Sequence, residues 1–268
     1  LKIKFIMKKV VITLFLALIT HLSFSQLSIN ALATNYSINF DATVSGVNNG
    51  ELGFASSSTL LSASAPPTAG QLDREAWNIV ALATTASDAG TFPNTTLVTG
   101  GQRSDGGVTG GFAYAFNTAS IGTNRALGFQ PTATAFTPGL ITLRVKNNTS
   151  FTPNEVTISY KIFVRNDQPR ANSLDFYFSE NNTTYTKVVE ADYTSPETAT
   201  GTAWIQVDRT FKVYPQNFTP GSFVYLRWYT DDVSGTGSRD EFAIDDITVN
   251  AKVISATNYY SKSSGDLN

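Results

Sequence analysis

Residues 223–250 read FVYLRWYTDDVSGTGSRDEFAIDDITVN, and this stretch decides the fold. In its first part Val224, Leu226 and Trp228 point one way and Phe223, Tyr225, Arg227 and Tyr229 the other, because successive side chains of a strand alternate between faces. In its last part Ala243, Ile247 and Val249 share a face, with Asp245 among them. A loop of Asp, Ser and Gly joins the two. Period-two runs around a Gly-rich connection predict a hairpin with a long acidic loop.

The same alternation spreads outward from this stretch. Ile141, Leu143 and Val145 alternate with Thr142, Arg144 and Lys146. Ile158, Tyr160, Ile162 and Val164 oppose Thr157, Ser159, Lys161 and Arg165. Leu174, Phe176 and Phe178 alternate with Asp175 and Tyr177, and Ile205, Val207, Phe211 and Val213 mark a longer strand. Earlier strands are predicted at 36–40, 79–83, 112–116 and 125–129. One apolar and one polar face is the pattern of antiparallel sheets with a solvated side. Tight-turn chemistry recurs at 147–150, 181–184 and 219–221. The reading is all-β: a two-sheet antiparallel jelly-roll sandwich of about ten or more strands. The best helix candidate is residues 71–83, opening QLDREAW. Residues 41–111, rich in Ala, Ser, Thr and Gly, read as decorated loops or as a binding rim built on them.

At the front, Lys2, Lys4, Lys8 and Lys9 precede the apolar run 10–19, and Ser23-Phe24-Ser25 supplies small residues for cleavage. This is the layout of a secretory signal peptide over residues 1–25, too short for a membrane span. The domain is then predicted at 26–252, with 253–268 a linker that leads into further domains. The chain has 268 residues, no cysteine and one histidine, His21, inside the leader. Removing four lysines leaves 15 basic against 21 acidic residues, a net charge of −6. Such a chain lacks the basic footprint of a nucleic-acid binder. Without disulfides, its stability rests on one core, helped by a bound cation.

The missing side chains exclude Ser–His and Cys–His catalysis in their usual forms and the common zinc and copper ligand sets. Phosphate-binding glycine motifs are absent as well. Glu190 and Asp192 begin the ExDxxE pattern of laminarinase-type glycosidases, but Ser195 stands where the third acid belongs and Pro196 breaks the strand. A carboxylate pair from separate strands stays open. Asp231, Asp232, Asp240, Glu241, Asp245 and Asp246 form a dense set of oxygen ligands suited to Ca2+. Their loop starts like an EF-hand, but position 12 is Ala243. The alternative is that Asp245 and Asp246 accept backbone hydrogen bonds or pair with Arg227 or Arg239, since a buried carboxylate needs a partner. Tyr177, Tyr225 and Tyr229 offer rings for stacking on a sugar, although alternating aromatics more often serve ordinary sheet packing. Asn94 and Asn217 open glycosylation sequons, which chance alone supplies in so Asn- and Thr-rich a chain.

NRALGF at 124–129, ITLRVKNNTS at 141–150 and VYLRWYTDDVSGTGSRDEFAIDDI at 224–247 resemble jelly-roll modules of large secreted bacterial proteins, which often carry PEP-CTERM or type IX secretion signals. INFD at 38–41 is similar to their first strand, and AIDDI at 243–247 to the last strand of MAM and related concanavalin-like domains. There, acids of the first and last strands hold a structural cation. The resemblance therefore implies Asp41 with Asp245 or Asp246 as ligands. It also implies a non-catalytic, secreted or cell-surface module for binding or adhesion, plausibly to a polysaccharide. The alternatives are a ligand-free spacer in a larger surface protein and an Asp/Glu-based carbohydrate-active enzyme.

Overall fold

A computed structural model describes residues 26–88, 90–94 and 99–255. The predicted leader and most of the predicted tail lie outside the described residues. Strands run in chain order as β1 (Leu27–Ile29), β2 (Tyr36–Ile38), β3 (Ser58–Thr59), β4 (Leu61–Ser62), β5 (Leu72–Asp73), β6 (Trp77–Val80), β7 (Thr99–Ser104), β8 (Ala113–Asn117) and β9 (Arg125–Phe129). They continue as β10 (Gly139–Asn147), β11 (Glu155–Arg165), β12 (Arg170–Ser179), β13 (Thr186–Lys187), β14 (Tyr193–Thr194), β15 (Ile205–Val213), β16 (Phe223–Gly235) and β17 (Glu241–Lys252).

Two sheets face each other. The first has the order β1-β10-β16-β12-β13, with β6 also on β10 and β14 also on β12. The second has the order β15-β11-β17-β9-β8-β7-β3, with β2 also on β17. From β9 to β12, and again from β15 to β17, each strand crosses to the opposite sheet, which is the jelly-roll pattern. Pairing is predominantly antiparallel; β1 with β10, β4 with β5 and β7 with β8 are parallel. Between the sheets lies one core built on Trp77, Trp228, Phe40, Phe129, Phe136, Phe176, Phe218 and Phe242, all at most 1% exposed.

Three sequence expectations are corrected. The stretch 223–250 is not a hairpin, because β16 and β17 belong to different sheets. A Gly-rich link between alternating runs fits an arch between sheets as well as a turn within one. The QLDREAW segment holds no helix but β5 and β6, since Leu72, Trp77 and Ile79 are all drawn into the core. Ala243 does not share a face with Ile247 and Val249. The ladder with β11 slips between Ser159 and Lys161, opposite Asp245 and Thr248. This bulge places one extra residue in β17, with Asp246 at φ +49°, and a one-residue slip reverses which face each side chain takes. Ala243 joins a satellite cluster with Tyr114, Phe116 and Phe163, while Ile247, Val249 and Ala251 enter the main core.

Candidate functional site

The acids of the sequence reading do not converge on one point; the sandwich sorts them into three places. At the far end, Asp232 accepts Nε and Nη2 of Arg239 at 2.8 and 2.6 Å, Nη1 of Arg170 at 2.6 Å and Nδ2 of Asn172 at 2.9 Å. Burial would raise its pKa, but the two guanidiniums outweigh it and hold it low. Glu241 accepts the Val108 amide at 2.8 Å and Arg165 Nη1 at 3.2 Å, and Asp240 accepts the Gln168 amide at 3.1 Å. Asp232 and Glu241 are engaged by the protein itself, whereas Asp240 keeps its Oδ2 without a partner at full hydrogen-bond geometry.

The second place is the seam where β2 pairs with β17 through Ile38 and Ile247. Asp245 is fully buried and takes Asn124 Nδ2 on its Oδ2 at 3.1 Å. The Phe40 and Asp246 amides are turned toward its carboxylate, yet Oδ1 finds no partner at full hydrogen-bond geometry. Burial pushes this carboxyl up to about 7, with the neighbouring Asp246 and Asp41 charges adding to it. Asp41 is half-buried nearby and accepts the Arg125 amide at 2.7 Å. Asp246 is already engaged, by Lys161 at 2.8 Å and Asn39 at 3.3 Å. Among the described residues no group of three or more acidic side chains is placed to hold a metal ion; the seam brings together two carboxylates, Asp41 and Asp245, the second with one orphaned oxygen.

The third place is the outer face of the β10-β16-β12 sheet. β16 presents Tyr225, Arg227, Tyr229 and Asp231 there, and β12 presents Asp175 and Tyr177 opposite Tyr229 and Arg227. Tyr177 and Tyr229 meet edge to face with ring centroids 6.0 Å apart, both half-buried. Lys187 reaches over from β13 to Asp175 at 2.7 Å and Asp192 at 3.1 Å. Burial and the Asp231 charge push the Tyr229 hydroxyl up to about 12, and burial also raises Tyr177. Both hydroxyls therefore stay protonated and able to donate.

Tyr225 does not share this opening. Phe92 packs on it with ring centroids 5.7 Å apart, and residues 84–88 and 90–94 strap part of the sheet face. Under the strap Arg227 is fully buried. It donates to Thr142 Oγ1 and Ala86 O, both at 2.8 Å, and lies 3.6 Å from the Tyr185 ring centroid. Asp175, Lys187 and Asp192 were missed as site residues. Asp175 stands two positions before Tyr177 and so on its face by strand period, a signal the sequence held. Lys187 and Asp192 follow from the packing of β13 and β14, which no local pattern announces.

The fold defines a jelly-roll β-sandwich module. No family model matches the chain, and no curated protein does. Among solved structures, the enzymatically active domain of bacteriophage CBA120 tailspike protein 4 is similar at 8% identity and TM-score 0.35, over 67% of this chain and 20% of that one. The K1 cleaved adhesin domain of Lys-gingipain from Porphyromonas gingivalis W83 gives 12% and 0.34, over 51% and 79%. The CBM22-1 xylan-binding domain of Paenibacillus barcinonensis Xyn10C gives 16% and 0.31, over 54% and 81%.

Proposed function

We propose that this domain is a non-catalytic extracellular module that binds a polysaccharide or cell-surface glycan on the outer sheet face, with one Ca2+ at the β2–β17 seam. The observation that carries the reading is the half-exposed Tyr177–Tyr229 pair, flanked by Asp175, Lys187 and Asp231. Tyrosine offers an apolar ring to the C–H face of a sugar and a hydroxyl to its polar rim. Carboxylates and an ammonium beside the rings can bond the remaining hydroxyls. Past residue 25 the chain has no His or Cys to act as base or nucleophile, which supports binding without turnover.

Binding across a polysaccharide panel is expected. Tyr229→Ala and Tyr177→Ala should each weaken it at least tenfold, about 1.4 kcal/mol. Silence across the panel would favour the spacer. Reducing-sugar release that disappears in Asp175→Asn would overturn the non-catalytic reading.

Asp41 and Asp245 supply the seam's carboxylates, and the ion would neutralise charges that otherwise repel across the first and last strands. A ligand bound only by the native state stabilises it by about 2.7 kcal/mol at a hundredfold excess over its Kd. Excess chelator should therefore lower Tm by several degrees, calcium should restore it, and Asp245→Asn should abolish the difference. An unchanged Tm on chelation would leave the pair satisfied by the protein alone.

A further inference from the structure

Four loops meet at one end of the sandwich around a cavity of about 260 Å³, lined by Gly107, Val108 and Thr109, by Gln130, by Asp167 and Gln168, and by Ser238, Arg239 and Glu241. It shares no lining residue with the tyrosine face. Pockets for drug-sized ligands run to about 300–1,000 Å³, so this one suits a single ring.

Its polar groups are built in. Glu241 is 1% exposed and Gln130 5%. Arg165 sits between Glu241 and Asp167, donating to both. Gly106 and Gly107, at φ +103° and +72°, let their loop lie directly on that guanidinium. A Cβ at Gly106 would meet Arg165 Cδ at 2.7 Å. The loop is fixed there by the Val108 amide on Glu241. Gln130 spends Nε2 on the carbonyls of Pro131 and Arg239, both at 2.9 Å, so Oε1 is what it offers the cavity. Arg239, which lines the cavity, holds Asp232 with Nε and Nη2, so Nη1 is not used in that pair.

We infer that this cavity is a second binding site, separate from the sheet face, for one uncharged sugar ring or a comparable cyclic polyol. Neighbouring hydroxyls of such a ring donate to the Glu241 and Asp167 carboxylates and Gln130 Oε1, and accept from Arg239. The two carboxylates oppose an anionic ligand. Glu241, Arg165 and Asp167 form one ion-paired network in the cavity wall, which holds these polar groups in place beside the opening.

The probes are the methyl glycosides of glucose, galactose, mannose, fucose and N-acetylglucosamine, with inositol, measured by saturation-transfer NMR at millimolar concentration. At least one should bind the wild type and Tyr229→Ala alike. Thr109→Trp and Ser238→Trp, which fill the mouth from exposed positions, should weaken it at least tenfold while Tm holds. Glu241→Gln should do the same; if it fails to fold, the two tryptophan variants decide. Binding lost in Tyr229→Ala but kept in Thr109→Trp would place the ring on the sheet face and overturn the inference. No binding of any probe would overturn it too.

Discussion

Asp240 is fully buried, and burial lifts its carboxyl to about 6 despite the Gln168 amide that donates to its Oδ1. Between its ordinary value near 4 and about 6, the folded chain keeps a proton that the unfolded chain has released. Its contribution to stability is therefore present in acid and lost as pH rises through about 6. A carboxyl raised this far costs the folded chain about 3 kcal/mol at neutral pH. Asp240→Asn should be more stable than wild type at pH 7 by up to that amount, and the gap should close towards pH 4. Thermal unfolding across that range, read as the difference between the two proteins, separates Asp240 from Asp245 and Glu241, which shift the same way. A constant gap would reject the account. In β16 the sequence showed which face a side chain takes, but not whether that face is wet. Arg227 falls on the polar face as the alternation of β16 requires, and it is buried because Ala86 and Tyr185 lie over it. Tyr225 is covered by Phe92 for the same reason. Tyr177 and Tyr229 escape the strap and meet edge to face, whereas the alternation placed Tyr225 beside Tyr229 on one strand face and could not show that Phe92 covers it.

The elements themselves were readable wherever apolar and polar residues alternate over several positions. β10, β11, β12, β15 and β16 follow the period closely, and β9 occupies its predicted residues. What periodicity cannot convey is which strands become neighbours, and so β16 and β17 read as a hairpin. It also cannot locate a bulge. In β17 the face reverses at Asp246, whose left-handed backbone suits Asp or Asn better than a branched residue. Inserting one residue after Asp246 would turn Ile247 and Val249 from the core to solvent, because the bulge already accommodates one extra residue. Each buries about 1.5–3 kcal/mol of apolar side chain, so the insertion should cost at least about 3 kcal/mol. Urea unfolding should show a much lower midpoint or no folded baseline. A midpoint equal to wild type would mean that β17 has slid to restore its faces and that the bulge does not set the register.

On the scale of the whole molecule, a chain without disulfides must fasten its two sheets by packing alone. The first described segment does this twice. β1 adds to β10 in one sheet, and a few residues later β2 adds to β17 in the other. Leu27, Ile29 and Ile38 are at most 3% exposed. Burying three such side chains contributes about 5–9 kcal/mol, against a total stability of about 5–15 kcal/mol for a typical domain. The C-terminal margin is different. Beyond β17, Ile254 holds a pair of hydrogen bonds with Asn154 at 2.7 and 2.9 Å, at an exposed site. Such bonds contribute about 0.5–1.5 kcal/mol each. A chain of residues 26–252 should therefore unfold cooperatively within a few degrees of 26–268. A chain of residues 39–252 should not fold, although it keeps Asp41, Asp245 and every tyrosine of the candidate face. Near-UV circular dichroism and thermal unfolding of the two chains decide this. A cooperative transition in 39–252 would show that β1 and β2 decorate the sandwich rather than clasp it, and it would shift the work of joining the sheets to the aromatic core.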